Sequence, residues 1–94
     1  MMSVEEIKEK ILPTLKKYGV KRAGVFGSVV RGEATEDSDV DILVELPDEA
    51  SLLDLAGLRI ELVELLGGEV DVLTYDSLYH LLRDRILSEE VAIL

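Results

Sequence analysis

Asp39, Asp41 and Asp71 occupy positions where an aspartate needs a reason. Asp39-Val40-Asp41 opens the apolar run Ile42-Leu43-Val44, and Asp71 sits inside Gly68-Glu69-Val70-Asp71-Val72-Leu73-Thr74. Both runs read as short strands, from which aspartate is depleted. Side chains alternate faces along a strand, so Asp39 and Asp41 point the same way, with Cα atoms roughly 7 Å apart. Val40, Ile42 and Val44 then face the other way, toward a core. Like charges placed so repel unless a cation lies between them. Two divalent ions about 3.5–4 Å apart would fit, and such a pair is a common device for phosphoryl transfer. If the two strands are neighbours, Asp71 adds a third carboxylate to the same patch.

Upstream lies a candidate cradle for phosphates. The run Ala23-Gly24-Val25-Phe26 stops at Gly27-Ser28, which predicts a strand over 22–26 and a short helix over 28–31. The free N–H groups of that helix start, the Ser28 hydroxyl and the Arg31 charge together suit a triphosphate. A glycine turn with a serine cap is by itself far commoner as plain structure. The paired acids nearby are what favour the phosphate reading. Asp37, Asp39 and Asp41 also imitate the start of a calcium loop, but its sixth and twelfth places hold Ile42 and Asp48 instead of Gly and Glu. Residues 27–32 lack the Gly-Lys-Ser/Thr of a P-loop and fit no dinucleotide fingerprint.

Gly27-Ser28-x-x-Arg31-Gly32, then Ser38-Asp39-x-Asp41, then a later strand aspartate, resembles the nucleotidyltransferase superfamily that includes DNA polymerase beta. Within it, the pattern is similar to the minimal nucleotidyltransferases, the MNT or MntA-like antitoxin group, over nearly the whole chain. The alanine often found before the arginine is Val30 here. The resemblance implies a palm-like fold and a Mg²⁺-dependent transfer of AMP from ATP to a tyrosine of a cognate HEPN-type toxin, which neutralises it. It also implies that Asp39 and Asp41 bind both Mg²⁺ ions, that Asp71 binds the catalytic ion and helps deprotonate the incoming hydroxyl, and that Gly27, Ser28 and Arg31 bind nucleotide.

The elements that must position these residues can be read in order. Ser3 with Glu6 forms a capping box, so a helix should begin at Val4. Val4, Ile7, Ile11, Leu15 and Tyr18 share one stripe; Pro13 lies opposite and should bend the helix without stopping it; Gly19 should close it. The second strand should end at Pro47. Ser51 and Asp54 then start a helix to about Leu66, closed by Gly67-Gly68. Its inner stripe reads Leu52, Leu55, Ala56, Leu62, Val63 and Leu66, flanked by Ile60 and Leu53, with Leu58 and Leu65 on the far flank. That arc is broader than one sheet needs; the surplus meets either a partner protein or a second side of this small fold. Arg59 sits inside the stripe without an explanation. A last helix over 77–88 should turn Leu78, Leu81, Leu82 and Ile86 inward, with Tyr79 a further candidate, and Val91-Ala92-Ile93-Leu94 could add an edge strand. His80 has no sequence neighbour to pair with and reads as a surface or packing residue. The order helix, strand, short helix, strand, helix, strand, helix predicts an α/β (α+β) fold: a small mixed sheet with helices on one face and the acids on the other.

Ninety-four residues predict a single domain, 1–94. No apolar run reaches transmembrane length, the amino terminus does not read as a signal peptide, and there is no cysteine. A cytoplasmic protein is the expectation. The formal net charge is −10, with seven Lys and Arg against three Glu in residues 1–32 and three Arg against seventeen acids thereafter. Such a surface disfavours nucleic acid as the main partner and suits a basic protein or a cation site; simple solubility explains it equally well. Two rivals to the enzyme remain in view. A binding module would neutralise its toxin by contact alone. A sugar- or antibiotic-modifying transferase would need acceptor-binding sequence that is not seen here.

Overall fold

The computed structural model describes residues 2–35 and 37–94. Helix α1 (Val4–Lys17) starts at the predicted capping box: the Ser3 hydroxyl accepts from the Glu6 N–H, and the Glu6 carboxylate accepts from the Ser3 N–H. Pro13 lies within it on the exposed side, and Gly19 follows with φ +72°. Strand β1 (Arg22–Phe26) leads through Gly27 into the one-turn helix α2 (Ser28–Arg31). Strand β2 (Val40–Glu45), helix α3 (Leu52–Leu66) and strand β3 (Val70–Thr74) follow. A second capping box, Ser51 with Asp54, starts α3, and Gly67 at φ +72° closes it. A 3₁₀ turn (Tyr75–Ser77), helix α4 (His80–Glu89) and strand β4 (Val91–Ala92) complete the chain.

The strands form one mixed sheet in the order β3-β2-β1-β4. β1 pairs antiparallel with β2 and β4, while β2 and β3 are parallel, as the α3 crossover between them requires. On one face, Ala23, Val25, Ile42, Val44 and Val70 pack against Ile7, Ile11 and Leu15 of α1 and Leu58, Leu62 and Leu66 of α3. Each such side chain contributes about 1.5–3 kcal/mol when fully buried.

The opposite face carries the acids and is partly covered as well. Phe26, Leu43, Tyr75 and Leu78 form a smaller cluster there, with Ile86 and Leu87 of α4 packed against it. Thus α1 and α3 take the predicted face and α4 the other. The 3₁₀ turn delays α4 to His80, three residues after the predicted start, because the chain must first step around the edge of the sheet at Tyr75. Leu78 is buried as expected, but Tyr79, Leu81 and Leu82 point outward.

The stripe on α3 also differs from expectation. Leu58, placed on the far flank, is fully buried, whereas Leu52 and Leu53 are each 83% exposed and Ala56 is exposed. The helix packs chiefly against the sheet and α1, so one narrow row, Leu58-Leu62-Leu66, is fully or nearly buried. Arg59 lies outside that row. Its Nε donates to the Val70 carbonyl at 3.0 Å, and its guanidinium pairs with Glu69 at 3.3 Å, tying α3 to the start of β3.

Candidate active site

The parallel register sets Asp41 of β2 directly beside Asp71 of β3. Because register partners point to the same face, both carboxylates leave the sheet on the side opposite the main core. Asp41 is half-buried and Asp71 exposed. Asp39 is exposed and lies just ahead of the first residue of β2, at the rim of the pair. Burial first, then the charges of Asp71 and Asp39, push the Asp41 carboxyl up to about 6, and Arg31 opposes them. No salt bridge relieves Asp39, Asp41 or Asp71 among the described residues.

The same register places Phe26 opposite Asp41 on the other side of β2, so Gly27 turns away immediately beside that carboxylate. Gly27 has φ +79°, and a Cβ at this position would run into the Asp41 carboxylate. Only glycine lets the backbone pass so closely in this conformation. The turn delivers Ser28 and the first N–H groups of α2, which have no partner within the helix, to the edge of the acidic pair. Two of the three candidate nucleotide residues are already engaged. The Gly27 N–H donates to Glu89 at 2.7 Å, and Arg31 pairs with the same Glu89 oxygen at 2.9 Å and with Glu33 at 3.2 Å.

Glu89, at the end of α4, was not legible as a site residue. It meets Gly27 across 62 positions of chain, and no local pattern marks it. Its neighbour Glu90 anchors the same segment. The Glu90 side chain is 7% exposed, accepts from the Tyr75 hydroxyl and lies 3.5 Å from Arg22, whose guanidinium stacks 4.3 Å from the Tyr75 ring centre. Burial and the Glu90 charge hold the Tyr75 hydroxyl well above its ordinary pKa, so it stays a hydrogen-bond donor. Together these contacts hold α4 along the acidic face. A cleft of about 200 Å³ remains between α4 and the Gly27 turn, with Asp41, Arg31, Arg85 and Glu89 in its wall.

The donor set fits a hard divalent cation. Among the described residues, no group of three or more His, Cys, Asp or Glu side chains is drawn tightly enough to hold a metal ion as it stands. Yet Asp41 and Asp71 present paired carboxylate oxygens that no salt bridge relieves among the described residues, with Asp39 at the rim. Oxygen-only, carboxylate-rich sets select Mg²⁺-like ions. Among the described residues, no helix is long and apolar enough to cross a membrane.

A family profile described as the nucleotidyltransferase domain matches residues 6–93. The chain is 59% identical, over 99% of its length and all of the relative's, to a Methanocaldococcus jannaschii protein, MJ0435, provisionally named a protein adenylyltransferase. It is 47% identical to protein adenylyltransferase MntA of Thermococcus cleftensis, over 97% of this chain and 96% of that one. A solved structure provisionally described as a minimal nucleotidyltransferase superposes with a TM-score of 0.82 at 41% identity, covering 96% of this chain and 95% of the other. A toxin–antitoxin structure with AMP-PNP shares the fold, with a TM-score of 0.80 at 22% identity over 93% of this chain and 72% of that one. With its acids paired across β2 and β3 beside a Gly-Ser turn, the chain belongs to the nucleotidyltransferase domain family, and within it to the minimal, MntA-like nucleotidyltransferases.

Proposed function

We propose that this nucleotidyltransferase, acting as the single catalytic domain 1–94, moves AMP from ATP to a protein hydroxyl, a tyrosine of a cognate HEPN-type toxin, and so serves as that toxin's antitoxin in the cytoplasm, where ATP is supplied. The observation that carries the reading is the side-by-side placement of Asp41 and Asp71 next to the Gly27 turn. The names of the two relatives, both protein adenylyltransferases, favour a protein acceptor.

Asp39, Asp41 and Asp71 would hold two Mg²⁺ ions, which when bound supply neutralising charge for the phosphate oxygens and lower the pKa of the attacking hydroxyl. The chain's own residues do the rest. The α2 N–H groups and the Ser28 hydroxyl donate to the phosphate oxygens and fix the triphosphate along the acidic pair. Asp71, the more exposed carboxylate of the pair, accepts the proton of the attacking tyrosine hydroxyl. The new bond joins that oxygen to the α-phosphorus, the bond from the α-phosphorus to the bridging oxygen of the β-phosphate breaks, and pyrophosphate leaves. Positioning and charge neutralisation account for catalysis of this type.

The test is incubation with ATP labelled at the α-phosphate, Mg²⁺ and the cognate toxin, followed by mass measurement of the toxin. Added AMP on tyrosine, abolished by Asp39→Asn with Asp41→Asn, is the expected result. Neutralisation that survives in the double variant without any mass change would show an antitoxin that works by contact.

A further inference from the structure

We infer that Arg85 of α4 is the residue that supplies positive charge to the β- and γ-phosphates of the bound nucleotide. The inference rests on the nucleotide reading above and extends it to an element outside the family's motif. Arg31, the arginine within that motif, is already paired with two carboxylates, Glu89 and Glu33. Its charge is spent on holding α4 to α2. A triphosphate entering beside Asp41 therefore meets a wall whose formal charges, without Arg85, sum to a negative value.

Arg85 corrects this. It lines the same cleft as Gly27, Arg31 and Asp41, and no carboxylate pairs with it among the described residues. It stands one helical turn before Glu89, so the two share a face of α4. Glu89 marks what that face meets: a carboxylate oxygen held between the Gly27 N–H and the Arg31 guanidinium. The chain's own Glu89 carboxylate is held at this place, and Arg85 is carried alongside it. Arg83, the other arginine of α4, points elsewhere and donates to the Tyr75 carbonyl at 3.1 Å. A guanidinium can contact two phosphate oxygens at once with its planar fork.

Equilibrium binding of ATP and of adenosine to the wild type, Arg85→Ala, Arg85→Lys and Arg83→Ala tests this, with circular dichroism confirming the fold of each. Arg85→Ala should weaken ATP about tenfold, as loss of a charged hydrogen-bonding partner does, and leave adenosine unchanged. Arg85→Lys should recover part of the loss, and Arg83→Ala should bind ATP as the wild type does. Equal weakening of ATP and adenosine would overturn the inference in favour of a structural role. Unchanged ATP binding with a raised KM for the acceptor protein would overturn it in favour of acceptor docking. A wild type that binds no ATP, with or without Mg²⁺, would remove the nucleotide reading and this inference together.

Discussion

Asp41 and Asp71 are register partners on adjoining parallel strands, and no basic side chain is paired with either among the described residues. The site is thus built at a cost to the metal-free fold. Burial and the neighbouring acids raise Asp41 to about 6 from an ordinary 3.8, so the folded state keeps a proton that the unfolded chain releases. Stability of the metal-free protein should therefore fall as pH rises through this window and stay lower above it. Allowing for solvent screening of this half-exposed group, the fall is on the order of 1 kcal/mol. Urea unfolding in EDTA at pH 4 and pH 7.5 should show it in the wild type and not in Asp41→Asn. Mg²⁺ at pH 7.5 should raise the wild-type midpoint more than that of the variant.

Two glycines with similar φ but different ψ should respond differently to alanine. Gly32 (φ +74°, ψ +20°) sits in the left-handed region, where alanine costs about 1 kcal/mol, whereas Gly27 (φ +79°, ψ −150°) sits in a region that only glycine adopts readily. A Cβ on Gly32 meets open space, whereas one on Gly27 runs into the Asp41 carboxylate. Gly32→Ala should lose about 1 kcal/mol of stability and keep transfer activity within a few-fold. Gly27→Ala should displace Asp41 and lower the transfer rate by about a hundredfold or more, as mispositioning of a reacting group does. Equal activities for the two variants would sink the close-approach argument.

The clasp that holds α4 in place can be weighed against an exposed ion pair. Glu90→Ala removes a buried carboxylate and leaves the Tyr75 hydroxyl without its partner, while Arg22, 55% exposed, turns to water. The expected loss is about 1–3 kcal/mol in urea unfolding. Glu69→Ala breaks the Arg59 pair at the surface, and its loss should stay within about 0.5 kcal/mol. A Glu90 variant as stable as the Glu69 variant would mean that the clasp contributes little.

Helix α3 offers a direct test of which row is buried. Leu62→Ala should cost about 2–5 kcal/mol, because the side chain is fully enclosed between the sheet and α1. Leu53→Ala, at an 83% exposed position, should change stability by no more than about 0.5 kcal/mol. Comparable losses at both sites would show that Leu53 is covered in the folded protein.

Local chemistry made much of this protein readable from its residues alone. The capping boxes Ser3/Glu6 and Ser51/Asp54, the glycines that close α1 and α3, and the start of β1 depend on contacts a few residues apart, which any sequence displays. The alternation of a strand likewise put Asp41 on the face opposite Ile42 and Val44. Three further features needed the folded chain. The buried row of α3 is Leu58-Leu62-Leu66 because the sheet and α1 lie against that side, and a helix with so broad an apolar arc does not say which side that will be. The pairing of Asp41 with Asp71 depends on the register of two strands separated by a whole helix. The reach of Glu89 to Gly27 depends on α4 crossing the acidic face, where Phe26, Leu43 and Tyr75 draw Ile86 and Leu87 down. Short-range geometry settles which elements form and which way their side chains alternate; which elements then touch is decided by the burial of apolar surface across the whole chain, and no local window contains it.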